Sequence, residues 1–431
     1  MAGMGTSYSA AADTTGTASA AHTHDVGLLQ KCGVYLEISS RTLIKKGGQA
    51  GMYFGLRHGQ PCAVKVYKSG GDERREVAAV MHLQNGHPGL CFCRGVHVTA
   101  TATVIVYDLA LCDMGRVLSK LPRGMGECCT LKEWMRLLAL TLGHMHTHHT
   151  AHGDVKPSNV LLLPQTVADT AALKGAARAT MASAQGPLPS RAMLQHKRAA
   201  GVVDCDFVQH MAPAHRKRVA ACLDTMLGDL PSPLEEGVIQ LCDFGLSRVS
   251  VCGGTPSGYS VAGTLGYIAP EVHRRVLLQD NLDEFVEMWG EERADTLSHE
   301  SYDATRVDVW AYGITLFVMS CGRSPFARAC PTDARFRGFL RVQAKYDSKV
   351  LGLEVAAHDA PCWQDNDPPW TWPVGMSKEM QHLIHMCLRI DPVQRYSFAQ
   401  VQRHVWLAEC TRAWSPRTTM AVPRTDARGE S

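Results

Sequence analysis

Hydrophobic and polar positions alternate in short runs over residues 33–110, with glycine-rich turns between the runs. This alternation is typical of β-strands, and residues 62–67 and 104–107 show it most clearly. Residues 76–83 break the pattern because their apolar side chains recur every three or four positions, and Gly86 follows them. The pattern predicts a strand-rich region that contains one helix.

Beyond about residue 130 the apolar positions recur at helical spacing instead. Residues 309–317 are apolar on nearly every side, which is typical of a helix in the middle of a core. We therefore predict an α+β fold of two lobes. A small antiparallel β lobe with one main helix spans about 31–110, and a larger helical lobe spans about 111–410. The helical positions that begin the second lobe are Leu131, Trp134, Leu138, Leu142 and Met145.

Four segments do not fit this packing, and they set the domain boundaries. Residues 1–30 are rich in Ala, Thr, Ser and Gly, which predicts a disordered leader. Within the domain at 31–410, residues 164–236 have weak periodicity and residues 275–301 are acidic and polar, so we interpret both as insertions. We expect the first insertion to be largely disordered. Residues 411–431 predict a flexible tail.

The composition excludes several classes of protein. A formal net charge of +3 gives no global field that would favour nucleic acid or membrane binding. The sequence contains no apolar run long enough to cross a bilayer, and its first residues do not resemble a secretory signal. We expect a cytoplasmic location. A basic run at 215–218 leaves a nuclear-import or acidic-partner patch open beside a solvated charge run. No oligomeric state can be inferred from the sequence.

The strongest chemical motif lies at residues 152–159. Asp154 supplies a carboxylate that could orient an attacking hydroxyl and accept its proton. Lys156 supplies a cation that could offset charge on a transferring phosphate. Asn159 supplies an amide oxygen of the kind that Mg²⁺ prefers. The motif therefore indicates phosphoryl transfer.

Two further clusters supply what such a site needs. Asp243 follows an apolar run at 238–242 and precedes Phe244 and Gly245, which suits a metal ligand on a sharp turn. Lys65 lies in an apolar run ahead of Glu76, and a lysine held by a carboxylate can grip nucleotide phosphates.

Taken in order, these residues resemble the eukaryotic-type serine/threonine protein kinase family over about residues 36–407. The resemblance implies a two-lobed protein kinase fold, ATP and Mg²⁺ as cofactors, and serine or threonine side chains of proteins as substrates. Lys156 and Thr264 are similar to the serine/threonine rather than the tyrosine branch. The matching residues are Lys65, Glu76, Asp154, Lys156, Asn159, Asp243, Phe244, Gly245, Ala269, Pro270, Glu271, Asp308, Trp310, Gly313 and Arg395.

The same resemblance implies a role for individual residues. Lys65 would contact the nucleotide phosphates and pair with Glu76, and Asp154 would be the catalytic base assisted by Lys156. Asn159 and Asp243 would hold magnesium. Elsewhere the resemblance implies an ion pair of Glu271 with Arg395, a role for Asp308 in tying down the catalytic loop, and Tyr107 at the back of the adenine pocket. The remaining nucleotide-binding positions would be Gly47, Gly48, Gly51, Ala63, Asp108, Ala110 and Leu161.

Two departures from the family pattern affect function. The glycine-rich loop aligns in either of two registers, and each register puts a lysine where a glycine is usual. Gly153 replaces the arginine that commonly precedes the catalytic base, which suggests that activity is not gated by a phosphorylated activation loop. These departures favour an alternative, a nucleotide-binding pseudokinase or scaffold with little turnover.

Two further interpretations, another class of phosphotransferase and a metal site, have less support. The loop at 152–159 is similar to that of small-molecule phosphotransferases such as aminoglycoside and choline kinases, which lack the motifs at 269–271 and 308–313. His144 and His148 are spaced for one helix face, which a metal site could use, although a partly exposed helix end is the simpler interpretation.

Overall fold

The structure is a computed structural model and describes residues 34–36, 43–46, 50–58, 60–68, 73–83, 86–98, 102–163, 239–250, 252–259, 263–346 and 369–408. The predicted leader, the first insertion and the tail lie outside these residues. The two-lobed α+β fold is confirmed.

The small lobe is an antiparallel sheet with one helix. Its strand order is β1-β3-β4-β6-β5, and β2 pairs with β3. The helix, α1, lies between β4 and β5 in the chain. The bounds are Val34–Leu36 (β1), Leu43–Lys46 (β2), Ala50–Arg57 (β3), Gln60–Lys68 (β4), Glu73–Leu83 (α1), Cys93–Val98 (β5) and Ala102–Asp108 (β6).

Alternation along β4 determines which side chains face the site. Cys62, Val64 and Val66 point to one face, where they pack with valines of β1 and β6. Lys65 is opposite Ile105 of β6 and lies on the other face, together with Tyr67. That second face packs against α1, so Lys65 is carried toward the helix and the cleft.

The large lobe is helical and is built around one deeply buried helix, α7. Every side of α7 contributes buried residues, as its all-round apolar sequence predicts, and Asp303 caps its start. The helix ends at Gly322, whose φ of +70° is the left-handed conformation that glycine allows. The helices are Met114–Lys120 (α2), Cys129–Thr147 (α3), Pro270–Asp280 (α4), Leu282–Trp289 (α5), Glu291–His299 (α6), Ala304–Cys321 (α7), Ala334–Tyr346 (α8), Lys378–Cys387 (α9), Phe398–Gln402 (α10) and Val405–Ala408 (α11).

Short strands between the lobes hold the segments that carry the chemistry. β9 pairs with both β7 and β10, and β8 pairs with β11. Leu162 of β9 is directly opposite Ile239 of β10, so the long segment between them begins and ends at neighbouring positions. The bounds are Cys112–Asp113 (β7), Thr150–Ala151 (β8), Val160–Leu162 (β9), Ile239–Leu241 (β10), Arg248–Val249 (β11), Ser257–Gly258 (β12) and Tyr302–Asp303 (β13).

The acidic segment at 275–301 is helical in the structure and forms the end of α4 followed by α5 and α6. Phe285 is fully buried there against Leu277, Ala294 and Leu297, in a small apolar cluster separate from the main core. The segment thus contributes most of a small apolar cluster, completed by Cys330, while Val276 at its start packs against the main core.

None of the helices that the structure describes combines the length and the apolar character that a membrane span requires.

Candidate active site

The centre of the site is the Lys65 ammonium, which contacts carboxylates from both lobes. Its Nζ donates to Glu76 Oε2 at 2.6 Å and to Asp243 Oδ1 at 2.7 Å. Burial alone would lower the pKa of Lys65, but the carboxylates of Glu76 and Asp243 outweigh it, so the pKa is raised above the ordinary lysine value. Lys65 is therefore a permanent cation at the point where the two lobes meet.

Glu76 is held on α1 by a set of buried donors. Its side chain is fully buried, and besides Lys65 it accepts hydrogen bonds from the hydroxyl groups of Tyr67 and, at 2.7 Å, Tyr107. Burial and the nearby Glu76 carboxylate both raise the pKa of Tyr67 and Tyr107, so both phenols keep their protons. Three donors on one carboxylate hold α1 close to the sheet.

Asp243 occupies a strained turn at the end of β10. Its φ of 67° lies in the left-handed region, which few non-glycine residues adopt. A short 3₁₀ turn, Phe244–Leu246, follows, and its buried Phe244 ring packs edge-to-face on His152. Burial raises the pKa of Asp243, but the Lys65 ammonium more than offsets this, so the pKa is lowered. The carboxylate is ionised, and its side chain is 46% exposed, facing the cleft.

Asp154 has four hydrogen bonds to its two carboxylate oxygens. Oδ1 accepts from the backbone N–H and the hydroxyl of Thr264, at 3.1 and 2.8 Å. Oδ2 accepts from Lys156 Nζ at 2.6 Å and from Asn159 Nδ2 at 3.0 Å. Lys156 also donates to the Thr264 hydroxyl at 2.5 Å. The carboxylate is therefore fixed in orientation by residues of two separate segments.

Asp308 ties the loop before Asp154 to the buried helix α7. Its Oδ2 accepts from the backbone N–H of His152 at 2.7 Å, and its Oδ1 accepts from that of Gly153 at 2.8 Å. His146 Nε2 donates to the same carboxylate at 2.9 Å. Since Asp308 is fully buried, these contacts place the loop relative to the core of the large lobe.

The His152 ring joins this loop to the segment that carries Asp243. Its Nε2 lies 3.0 Å from the carbonyl oxygen of Cys242, which can only accept, so Nε2 carries a proton. Its Nδ1 accepts from the backbone N–H of Asp154 at 3.2 Å. These roles assign the neutral Nε2–H tautomer.

The remaining predicted nucleotide positions are distributed around the cleft. Gly51 and Ala63 lie on β3 and β4, Leu161 lies half-buried on β9, and Ala110 lies just beyond β6. The Asp108 carboxylate forms a two-point ion pair with Arg94 at 2.7 and 2.8 Å. The side chain of Asp108 is therefore paired with the neighbouring strand β5. Gly47 and Gly48 lie outside the described residues.

Gly153 cannot be replaced by the arginine usual in the family without a rearrangement. Its φ is +82°, and a Cβ atom built there would lie 2.6 Å from the carbonyl oxygen of Leu246. The glycine that stands in place of the family's arginine therefore matches the backbone conformation at this position.

A buried ion pair anchors the start of α4. Arg395 is 1% exposed and donates to both oxygens of Glu271, at 2.8 and 3.1 Å. It also donates to the carbonyl oxygen of Arg306 at 2.7 Å, and its guanidinium lies over the Trp310 ring at 5.2 Å. The start of α4, next to the catalytic loop, is thereby fixed to the core.

The histidines near the end of α3 pack on one another. The His144 ring lies 5.1 Å from that of His87 and 4.1 Å from that of His148. Over the described part of the chain, no group of three or more His, Cys, Asp or Glu side chains is arranged to hold a metal ion.

Several contacts at the site have no signal in the sequence. In the sequence Thr264 serves only as a marker of the serine/threonine branch, yet its hydroxyl donates a hydrogen bond directly to Asp154. Tyr67 and His146 belong to no motif, although each donates to a carboxylate of the site. The alternation of β4, which puts Tyr67 on the face of Lys65, is the one available clue.

Comparison with known proteins connects this geometry to one family. A family model described as Protein kinase domain matches residues 293–407. Serine/threonine-protein kinase SAPK3 of Oryza sativa subsp. indica is 28% identical over 206 residues, which cover 47% of this chain and 46% of that protein. SRK2E, a serine/threonine-protein kinase of Arabidopsis thaliana, is 29% identical over 184 residues, 42% of this chain and 36% of its own length.

A human protein, the SNF-related serine/threonine-protein kinase, is 28% identical over 189 residues, 44% of this chain and 18% of the human protein. The chain thus spans less than half the length of each of these relatives.

Proposed function

We propose that this chain, which is similar to eukaryotic-type serine/threonine protein kinases, transfers the γ-phosphoryl group of ATP to serine and threonine hydroxyl groups of proteins. The observation that carries the proposal is a hydrogen-bonded link between a fixed carboxylate, Asp154, and a fixed cation, Lys65. Asp154 accepts from Asn159 and Lys65 donates to Asp243, and the N–H of Cys242, next to Asp243, donates to the carbonyl oxygen of Asn159 at 2.9 Å.

The residues present fit ATP and Mg²⁺. Asp243 and Asn159 offer a carboxylate and an amide oxygen, which are hard ligands suited to magnesium, and Mg²⁺ usually takes only one or two protein ligands beside phosphates and water. Bound magnesium would neutralise charge on the phosphates. Lys65 would bind the phosphates through its ammonium.

The chain's own residues supply the proton transfer. As the oxygen of the substrate hydroxyl forms its bond to phosphorus, the bond from phosphorus to the leaving ADP oxygen breaks, and the hydroxyl proton passes to the Asp154 carboxylate. Thr264 and Asn159 hold that carboxylate in place, and the Lys156 ammonium lies beside it to offset negative charge on the transferring group.

The comparisons give no support to the pseudokinase alternative: the three relatives described above are all named as serine/threonine-protein kinases. We further propose one catalytic domain at 31–410 and a cytoplasmic location, with a nuclear one as the alternative, from the composition of the sequence. Partners would be proteins that carry serine or threonine acceptors.

The test is phosphate transfer by the full chain with Mg²⁺ and labelled ATP on a peptide array, followed by phosphoamino acid analysis. We expect labelled phosphoserine or phosphothreonine. Asp154→Asn should lower kcat by roughly 10²- to 10⁴-fold, because the amide cannot accept the proton. The matched control, Asp280→Asn, makes the same change at an exposed position on α4 and should leave kcat unchanged. Equal incorporation by wild type and Asp154→Asn would exclude the proposed mechanism.

A further inference from the structure

Helices α4, α5 and α6 line an open groove of about 660 Å³ on the large lobe. The active site does not use this groove. Apolar side chains of all three helices line it, and Leu282 among them is 53% exposed. Beneath the groove, the separate apolar cluster around Phe285 holds the three helices together. The groove therefore has a supported apolar floor that faces solvent. Its apolar lining residues are Leu278, Leu282, Val286 and Ala294.

The remaining lining residues are all acidic. Asp283 and Glu287 lie four residues apart on α5, and Glu291 and Asp295 lie four residues apart on α6. Like charges at this spacing repel each other along a helix. Within the described part of the chain none of the four carboxylates forms an ion pair. Residues 278–300 contain eight acidic residues and one basic residue in a chain of net charge +3.

We propose that this groove is a docking site for a basic segment of a partner protein, in which arginine or lysine side chains flank one or two branched apolar side chains. The apolar anchor would fill the groove against Leu282, and the cations would pair with the carboxylates at its edges. Such a partner relieves the repulsion within each helix as it binds. The proposal concerns binding alone and does not depend on phosphoryl transfer.

Charge complementarity favours this occupant over a second copy of the chain. A two-fold dimer through this face would bring the same carboxylates of both copies together, because such an interface uses one surface patch twice. An acidic partner would be repelled by the four carboxylates, and a purely apolar partner would desolvate them without pairing them.

The test measures binding of a fluorescein-labelled synthetic peptide of about 14 residues, with leucines at helical spacing among arginines and lysines. Fluorescence anisotropy is recorded with the full chain in the absence of ATP. The key variant is Glu291→Lys, and its matched control is Glu292→Lys. Both residues are exposed in the first turn of α6, so both changes have the same effect on the helix, but Glu291 alone lines the groove.

We expect saturable binding that weakens as salt rises, a loss of about tenfold for Glu291→Lys, and a change of less than about twofold for Glu292→Lys. Leu282→Ser and a peptide with its leucines replaced by serine should each weaken binding to a similar extent. Circular dichroism melting of the two lysine variants checks that both remain folded.

Three outcomes would overturn the proposal. Equal weakening by Glu291→Lys and Glu292→Lys would mean that the peptide binds acidic surface in general. Unchanged affinity of the serine-substituted peptide would remove the role of the apolar floor. A concentration-dependent dimer in sedimentation that Glu291→Lys abolishes, without peptide binding, would assign the face to self-association.

Discussion

Replacement of Asp308 by asparagine isolates the contribution of one buried carboxylate to the catalytic loop. The side chain keeps its size, so no cavity forms, but one of its two oxygens becomes an NH₂ group. In the structure both oxygens face only donors: the backbone N–H groups of His152 and Gly153, and His146 Nε2. Whichever way the amide turns, its NH₂ must face at least one buried N–H group.

The expected magnitude follows from counting these contacts. In the better orientation the amide oxygen keeps its hydrogen bonds from His152 and His146, and the N–H of the half-buried Gly153 loses its acceptor on the fully buried Asp308 side chain. Loss of a hydrogen bond to a charged group, together with an unsatisfied buried donor, costs about 2–4 kcal/mol. Since Gly153 directly precedes Asp154, a shift of this peptide unit also displaces the catalytic carboxylate. If the whole cost falls on the active geometry, kcat decreases by roughly 30- to 10³-fold.

The assay combines urea unfolding with steady-state kinetics. Asp308→Asn should lower the free energy of unfolding by about 2–4 kcal/mol and lower kcat while the KM for ATP changes little. Asp303→Asn is the matched control, because it makes the same change at the cap of the same helix, where asparagine caps as well as aspartate. A variant at 308 with wild-type kcat and a stability loss below about 0.5 kcal/mol would refute the role given to this anchor.

Two further predictions concern Thr264 and the pair formed by His382 of α9 and His404 of the turn before α11. Thr264→Ala should lower kcat by roughly tenfold, because Asp154 and Lys156 each lose a hydrogen bond, whereas Thr264→Ser should retain most activity; equal rates for the two variants would contradict this. His404 Nε2 lies 2.8 Å from His382 Nδ1, and its own Nδ1 accepts a main-chain N–H, so burial and then His382 lower the pKa of His404 from 6.5 to about 4. Between pH 4 and pH 6.5 the unfolded chain therefore binds more protons at this histidine than the folded chain does. Up to about 3 kcal/mol of stability is thus present above pH 6.5 and is lost as the pH falls toward 4. Unfolding free energies of wild type and His404→Gln across this range measure it, and identical slopes would count against it.

Much of the fold follows from local pattern. The strand periodicity of 62–67, the helical spacing of 76–83 and the apolar run of 309–317 each correspond to an element of the structure, because side-chain period is a direct consequence of backbone geometry. The acidic stretch at 275–301 is harder to interpret. Its many charged residues obscure the helical period of its apolar positions. The burial of Phe285, which holds the helices together, becomes evident only when the residues packed around Phe285 are known.

The site shows the same division. Its acids, bases and amide are identified by residue type and order along the chain. Their partners are not, since Asp154 meets Thr264 across 110 positions and His152 meets Asp308 across 156. Contacts at such separations depend on how distant segments of the large lobe pack together, and no local spacing encodes them.

For this protein the order of residues along the chain determined which chemical groups are available: the carboxylates of Asp154 and Asp243, the ammonium of Lys65, the amide of Asn159 and the elements that carry them. Tertiary packing decided how those groups are held, through the donors around Glu76, the anchoring of Gly153 by Asp308 and the acidic groove between α4 and α6. The physical reason is that side-chain period and residue type are local properties, whereas a hydrogen-bond partner or a shared surface exists only after distant segments have come together.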